Sequence, residues 1–510
     1  MGRSDISRHR AGAVAVLSGV CGVLAASVAQ AEVRFVPRIG LNATWVDNST
    51  LADSGASKES ELIGQASPGL RLIVDADRIQ AFLDYQLQAI RFQNGSGDTE
   101  VFHQAELGTQ WEALSDWLYV DVAGSKNQTV VDPTGPVNVD NMFSVGNLAD
   151  ATSGQITPML QHKFRVTEIE LSYTRGFQKY DKAAGPVVQN DISLDDSKNE
   201  SAAAALRSTN VDAFLSWEAT YRHDKVEYDL AETFQYDQAL AMLGFRVSPG
   251  LRLLARGGKE SDPRLDISKG GLDATFWQGG FEWSRGEKQN LRVLAGKRFF
   301  GNSYDASWRY TGRLLEFGAS YNEMPTTQTQ THVIRGITAP VDDFPTQIDR
   351  DFSRITSDVY VMKRLDARAG MRGRITDVFV SVNSETRQYI NLAGLQDKYQ
   401  GFDILASRRL TARMRLDASG GFTKSNLREG DNFRDRAYQV TLARQIGANT
   451  DLTFAANRFE RAGALRAYKV NWFEVGFTMS FGNADDTRRG GRDRQQTPNR
   501  RMLPTVSGRP

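Results

Sequence analysis

The sequence predicts an all-β chain folded as a single antiparallel transmembrane β-barrel of about 22 strands, within a range of roughly 18 to 22. Three features carry that prediction. Apolar and polar residues alternate with a period of two along most of the chain, the connections alternate between short and long, and no apolar run approaches the roughly 18 residues of a helical span once the first 31 residues are set aside. The mean hydropathy of -0.43 agrees with the last of these.

Residues 1–31 have the parts of a secretory signal. Arg3, Arg8 and Arg10 precede an apolar run from Ala11 to Ala26, and Ala29-Gln30-Ala31 forms a small-residue cleavage site ending at Ala31. The single cysteine, Cys21, lies in that run behind Val20, where a lipoprotein signal would need a small residue, so no lipid anchor is expected. The mature chain then has neither thiol nor disulfide. It must be held by its core, its hydrogen bonds or a membrane.

The first strand is read in "EVRFVPRIGLNATWVDN", where Val33, Phe35, Ile39, Leu41 and Trp45 share one face and Arg34, Arg38, Asn42 and Thr44 the other. Val101, Ala105, Leu107 and Trp111 repeat the pattern, as do Leu215, Trp217 and Tyr221, then Leu315, Phe317 and Tyr321, then Leu416, Ala418 and Phe422, and finally Phe473, Val475, Phe477, Met479 and Phe481. Lipid on one side and a wet lumen on the other demand this alternation over about 25 Å of apolar belt. Trp45, Trp111, Trp117, Trp217, Tyr221, Trp277, Trp283, Trp308 and Trp472 are read as girdle aromatics. The best helical candidate, "ESAAAALRS", is short and reads as part of a polar loop.

Tight turns are expected near residues 75–78, 114–116, 165–166, 222–224, 248–250, 285–290, 311–313, 372–374, 410–411 and 447–450. Longer connections are expected at 46–62, 125–154, 181–210, 262–271, 324–354, 387–398 and 425–434, with shorter ones near Asn94, Tyr236, Asn302 and Ala462. An even strand count returns both termini to one side, so the termini and short turns are periplasmic and the long loops extracellular. Soluble β-sandwiches and propellers also alternate, but they show neither this regular order of connections nor polar faces on every strand.

The barrel is expected over 32–481, followed by a tail at 482–510 too polar to fold. Three basic and one acidic residue precede Glu32, and seven and three follow Phe481, so the body keeps 52 basic against 57 acidic residues. The tail is basic through Arg488, Arg489, Arg492, Arg494, Arg500, Arg501 and Arg509, and is read as solvated and periplasmic. Nothing resembles a nucleic-acid surface. Phe477 and Phe481, at the end of "WFEVGFTMSF", are the candidate assembly signal for the barrel-assembly machinery.

A search for chemistry finds no Gly-x-Ser-x-Gly, no His-Glu-x-x-His, no phosphate loop and no histidine pair at ligand spacing, so no enzyme, metal or cofactor is expected. His103 falls on a lipid-facing position, His162 and His223 beside or within turns, and His332 in the longest loop. The lumen offers polar rows instead. Gln80, Asp84, Gln86 and Gln88 face the same side as Glu100, Gln104, Glu106, Gln110 and Glu112, with Arg413, Arg415 and Asp417 downstream. Ordinary wetting and ion pairing account for such rows, and so would a polymer exchanging hydrogen bonds with water. Barrels of about 22 strands are plugged. With no plug domain preceding the first strand, the connections at 125–154, 181–210 and 324–354 are the candidates for folding inward.

Three stretches resemble the outer-membrane β-barrel family associated with PEP-CTERM and exosortase systems: "QAEVRFVPRIGLNATWVDN", "ITPMLQHKFRVTEIELSYTRG" and "DVYVMKRLDARAGMRGRITDVFVSVNSETRQY". The resemblance implies an outer-membrane location and a passive role, as channel or scaffold, in exopolysaccharide export or PEP-CTERM protein surface sorting. Its implied partners are outer-membrane lipid, exopolysaccharide and periplasmic export proteins. The tail beyond Phe481 departs from the family, whose members tend to stop at a terminal aromatic. A general diffusion porin and an outer-membrane hydrolase are the alternative expectations.

Overall fold

The computed structural model describes residues 32–481 except 94–98, 138–140, 144–146, 183–193, 211–212, 263–271, 328–329, 331–357, 391–393, 429 and 464. The expected signal with Ala31, the tail at 482–510 and His332 lie outside the described residues.

Strands follow in chain order. They are β1 Glu32–Val46, β2 Glu61–Asp75, β3 Ile79–Phe92, β4 Glu100–Leu114, β5 Leu118–Val130, β6 Leu148–Lys163, β7 Thr167–Lys182 and β8 Ser197–Ser208. Next come β9 Leu215–Tyr228, β10 Phe234–Ser248, β11 Leu251–Asp262, β12 Leu272–Ser284, β13 Gln289–Arg298, β14 Gly301–Thr311 and β15 Leu315–Thr326. The last are β16 Tyr360–Arg372, β17 Thr376–Tyr389, β18 Gln396–Thr411, β19 Met414–Asn426, β20 Phe433–Gln445, β21 Thr450–Gly463 and β22 Ala467–Ser480.

Each strand pairs antiparallel with its chain neighbours, and β1 pairs with β22 from Arg38↔Ser480 to Val46↔Trp472, closing a 22-stranded barrel. Closure matters because hydrocarbon offers no partner to an unpaired N–H or C=O. The outer face is apolar. Val33, Phe35, Leu41, Trp45, Phe402, Ile404, Phe473 and Val475 are 40–58% exposed, a surface that water would penalise and lipid covers. Strands of 10 to 16 residues exceed the about 9 to 11 needed to cross, so many stand proud of the membrane at the long-loop end.

The turns at the termini's end are tight. Ala76 N–H donates to the Ile79 carbonyl at 2.9 Å and Gly373 N–H to that of Thr376 at 2.9 Å. Between β10 and β11 the turn is two residues long, and Gly250 there takes φ +84° with the Ser284 carbonyl oxygen where a Cβ would sit.

Five expectations need correction. The segment 181–210 is not one loop, because "SKNESAAAALRS" forms β8 and pairs with both β7 and β9. Its alanines are too small and too weakly apolar to announce a two-residue period. As a result, the turn expected at 222–224 lies inside β9, the connection expected near Tyr236 lies inside β10, and the actual connection is 229–233. The connection expected at 125–154 is shorter, since β5 continues to Val130 and β6 begins at Leu148. Trp472, read as a girdle residue, is 3% exposed and faces inward, edge-on to Phe143 at 6.0 Å between ring centres.

Candidate functional site

The lumen is the candidate site, and its two sides differ. On the first side, the register sets Gln80 opposite Gln110, Asp84 opposite Glu106 and Gln86 opposite Gln104, with Glu100 opposite Ile90 near the extracellular end of β3 and β4. Their faces alternate with the outward Leu83, Tyr85, Ala105 and Leu107, so these residues line the lumen. Arg38 of β1 reaches Asp84 Oδ1 at 2.5 Å and Gln86 Oε1 at 3.1 Å, and Arg71 of β2 donates through Nε to Asp84 Oδ2 at 2.8 Å. Sequence reasoning singled out Asp84 but not the arginine pair that holds it, although both arginines sit on the inward parity of their strands.

Arg415 shares the inward face of β19 with Asp417, to which its Nε donates at 2.8 Å. Arg413 is elsewhere: it lies in the turn before β19, exposed, with its carbonyl accepting from Gln445 N–H at 2.9 Å. Phe477 faces outward on β22 opposite Leu41 and Leu452, and Phe481 N–H donates to the Pro37 carbonyl at 2.7 Å just beyond the strand's end.

The connection between β5 and β6 folds into the extracellular mouth above this wall. Val137, Met142 and Phe143 are at most 3% exposed and join an apolar cluster of inward residues from the neighbouring strands, among them Ile63, Ile90, Phe92, Phe433, Phe459, Tyr468 and Trp472. Polar anchors fix the same loop. Val137 N–H donates to Tyr468 Oη at 3.0 Å, and Asn141 Nδ2 to Gln88 Oε1 at 2.9 Å. Arg461 of β21 binds Asp435 of β20 through Nε at 2.8 Å and Nη2 at 2.7 Å, and its Nη1 donates to the carbonyls of Pro133 at 2.8 Å and Gly135 at 2.5 Å. With its guanidinium stacked 4.3 Å from the Phe433 ring, Arg461 is 2% exposed. Of the connections expected to turn inward, this one does. The other two fall mostly on 183–193 and 331–357, outside the described residues.

The opposite side, from β6 round to β17, lines a cavity of about 1880 Å³ among the described residues. Its wall carries paired charges of both signs. Arg207 bridges Glu168 at 2.7 Å and Glu170 at 2.8 Å; Arg298 holds Glu260 at 2.5 Å beside Tyr236; Arg256 donates to Gln278 at 2.8 Å and reaches Asp305 at 3.2 Å. On β8 the inward positions above Arg207 are Ala205 and Ala203, which leave the path wide there.

His103 bonds Tyr85 Oη at 2.8 Å, His162 stacks on Trp117 at 3.7 Å, and His223, on β9 rather than in a turn, bonds Asp237 at 2.7 Å. All three are on outward parities. Among the described residues no group of three or more His, Cys, Asp or Glu could hold a metal ion.

A closed 22-stranded barrel with an apolar outer belt, a polar interior and, among the described residues, one inward-folded loop is a transmembrane β-barrel of the outer-membrane type. No protein-family model and no curated protein matches the chain. Solved structures do. The FrpB iron transporter of Neisseria meningitidis is 8% identical with a TM-score of 0.47, covering 87% of this chain and 82% of its own. A point mutant of the ferric enterobactin receptor of Pseudomonas aeruginosa, in complex with enterobactin, is 9% identical with a TM-score of 0.49, covering 89% and 82%. The outer membrane protein opdK of Pseudomonas aeruginosa is 10% identical with a TM-score of 0.35, covering 88% and 99%.

Proposed function

We propose that the barrel is a passive conduit for exopolysaccharide leaving the periplasm, working with periplasmic export proteins in a system of the PEP-CTERM and exosortase type. The observation that carries this reading is the unequal lumen. Among the described residues, one side is filled by a folded loop, and the other presents a polar wall in which Arg207, Arg256 and Arg298 have protein partners. A sugar chain meeting such a wall exchanges hydrogen bonds with amides, carboxylates and water. The resemblance of the first, middle and late strands to barrels of exopolysaccharide loci supports the same reading. Scaffolding for the surface sorting of PEP-CTERM proteins belongs to this proposal as its second form.

A general diffusion porin is the alternative, favoured by the presence of both charge signs on that wall. Removing the gene and weighing surface and periplasmic polysaccharide separates the two. Polymer retained in the periplasm is the expected result; normal polymer with altered uptake of small solutes would replace the conduit with a porin. Purified barrel incubated with lipid and glycan substrates is expected to cleave neither.

A further inference from the structure

We propose that the outer wall of β18–β22 binds a phosphorylated, multiply acylated lipid of the outer leaflet, of the lipid A type, with its phosphates on a cluster of cations and its acyl chains on the aromatic belt directly beneath. Six basic residues lie on the outward parity of these five adjacent strands at the extracellular side: Lys398, Lys424, Arg434, Arg436, Arg458 and Lys469. The register makes them neighbours, pairing Lys424 with Arg434, Phe422 with Arg436, Tyr438 with Arg458 and Glu460 with Lys469.

Among the described residues, one outward carboxylate serves the six. Glu460 is met by Arg458 Nε at 2.8 Å, by Lys469 Nζ at 3.8 Å and by Arg436 Nη1 at 3.9 Å, while those three cations remain about half exposed. Nearby Asp47 and Asp53 are engaged elsewhere, with Asn471 and with the Ala467 N–H. Lys398, Lys424 and Arg434 have no carboxylate partner among the described residues.

Elsewhere on the outer wall, ion pairs at the extracellular side join single cations to carboxylates across or along strands, and the cations without a carboxylate partner among the described residues, Arg91, Lys179, Lys198, Lys297 and Lys363, are spread over β3, β7, β8, β13 and β16. Lys126 meets Asp150 at 3.5 Å, Arg175 meets Glu200 at 3.6 Å, Lys225 meets Glu227 at 2.6 Å and Lys259 meets Asp273 at 2.9 Å. What sets β18–β22 apart is density, with six outward cations on five adjacent strands around Glu460. One outward position below it begins the apolar surface of Phe402, Phe422, Tyr438, Phe454 and Phe473, of which Tyr438 and Phe473 are 50% and 55% exposed. Cations above an acyl-chain surface match a lipid with a phosphorylated headgroup, and match neither a free anion nor a neutral lipid as well.

Native mass spectrometry of the whole barrel, titrated with diphosphorylated lipid A and with the same lipid after phosphatase treatment, tests the assignment. The triple variant Lys424→Gln, Arg434→Gln, Arg436→Gln is expected to bind the diphosphorylated lipid about a hundredfold more weakly, with three surface charges removed. Phosphatase treatment of the lipid should weaken binding to the unmodified barrel in the same sense, and Arg175→Gln with Lys225→Gln on the opposite wall should leave it unchanged. Should the triple variant not fold, Lys398→Gln with Lys469→Gln carries the same comparison. Equal binding by patch variant and unmodified barrel overturns the proposal, as does equal loss in the opposite-wall variant. Inorganic phosphate displacing the lipid in proportion to its own binding would make the patch an anion site and overturn the lipid assignment.

Discussion

Arg461 is the residue on which the mouth of the barrel depends most. It is 2% exposed, spends two nitrogens on Asp435 and a third on two loop carbonyls, and stacks on Phe433. Removing one partner of a buried pair leaves the other uncompensated, at a cost of about 3 to 5 kcal/mol. In Arg461→Met the loop is expected to lose its anchor and the Asp435 carboxylate to be left stranded. Planar-bilayer recordings should show larger and noisier single-channel conductance, with the barrel still closed. At the other extreme of size is Gly280, where a Cβ would collide with the carbonyl oxygen of Val293 across the β12–β13 ladder. Gly280→Val should destabilise by about 3 kcal/mol, read as a lower urea midpoint in heat-modifiable gel migration.

Elements show where sequence is informative and where it falls silent. Lipid enforces the two-residue period on strands with large outward residues, so strands such as β1 and β22 are legible from Trp45, Leu41, Phe473 and Val475 alone. β8 is not, because Ala203 and Ala205 inside and Ala202 and Ala204 outside give nearly the same hydropathy at every position. Those alanines make a direct test of the path: Ala203→Trp with Ala205→Trp should reduce conductance and polymer export while assembly proceeds normally. The β5–β6 loop was legible as a long connection, yet nothing in "DPTGPVNVDNMFSVGN" separates Val137, Met142 and Phe143 from apolar residues of a surface loop. What fixes them is distant in sequence, on β20–β22. Deleting 134–145 should raise conductance with little effect on thermal stability, since the ladders that close the wall do not include the loop.

For the whole molecule, closure is the controlling fact. The β1–β22 ladder covers Arg38 to Val46, and the Phe481 N–H adds one bond to Pro37 below it, at the point where the chain ends meet. Phe481→Ala is expected to slow insertion into membranes and to lower the folded fraction, measured by gel shift over time, while the barrel that does form keeps its conductance. The two faces of most strands and the orientation could be read from the alternation and the connections, because each follows from one solvent on each side of a wall; the strand number agrees although β8 is missed, since the turn expected at 222–224 and the connection expected near Tyr236 stand in for it. The asymmetry of the interior could not be read, because Trp472 has the composition of a girdle residue and the position of a core residue.

The rim is also uneven in height. β13, β14 and β15 have only 10, 11 and 12 residues, β13 and β14 are joined through Phe299 and Phe300 alone, and above the Ala306↔Tyr321 pair β14 and β15 part company. Half a turn round the ring stand the taller β1–β4 with the loop tucked against them. Among the described residues, the strands of the wall therefore stand higher on one side than on the other. A wall of uneven height gives the barrel a front and a back, so a partner in the membrane meets a different surface according to the side from which it approaches.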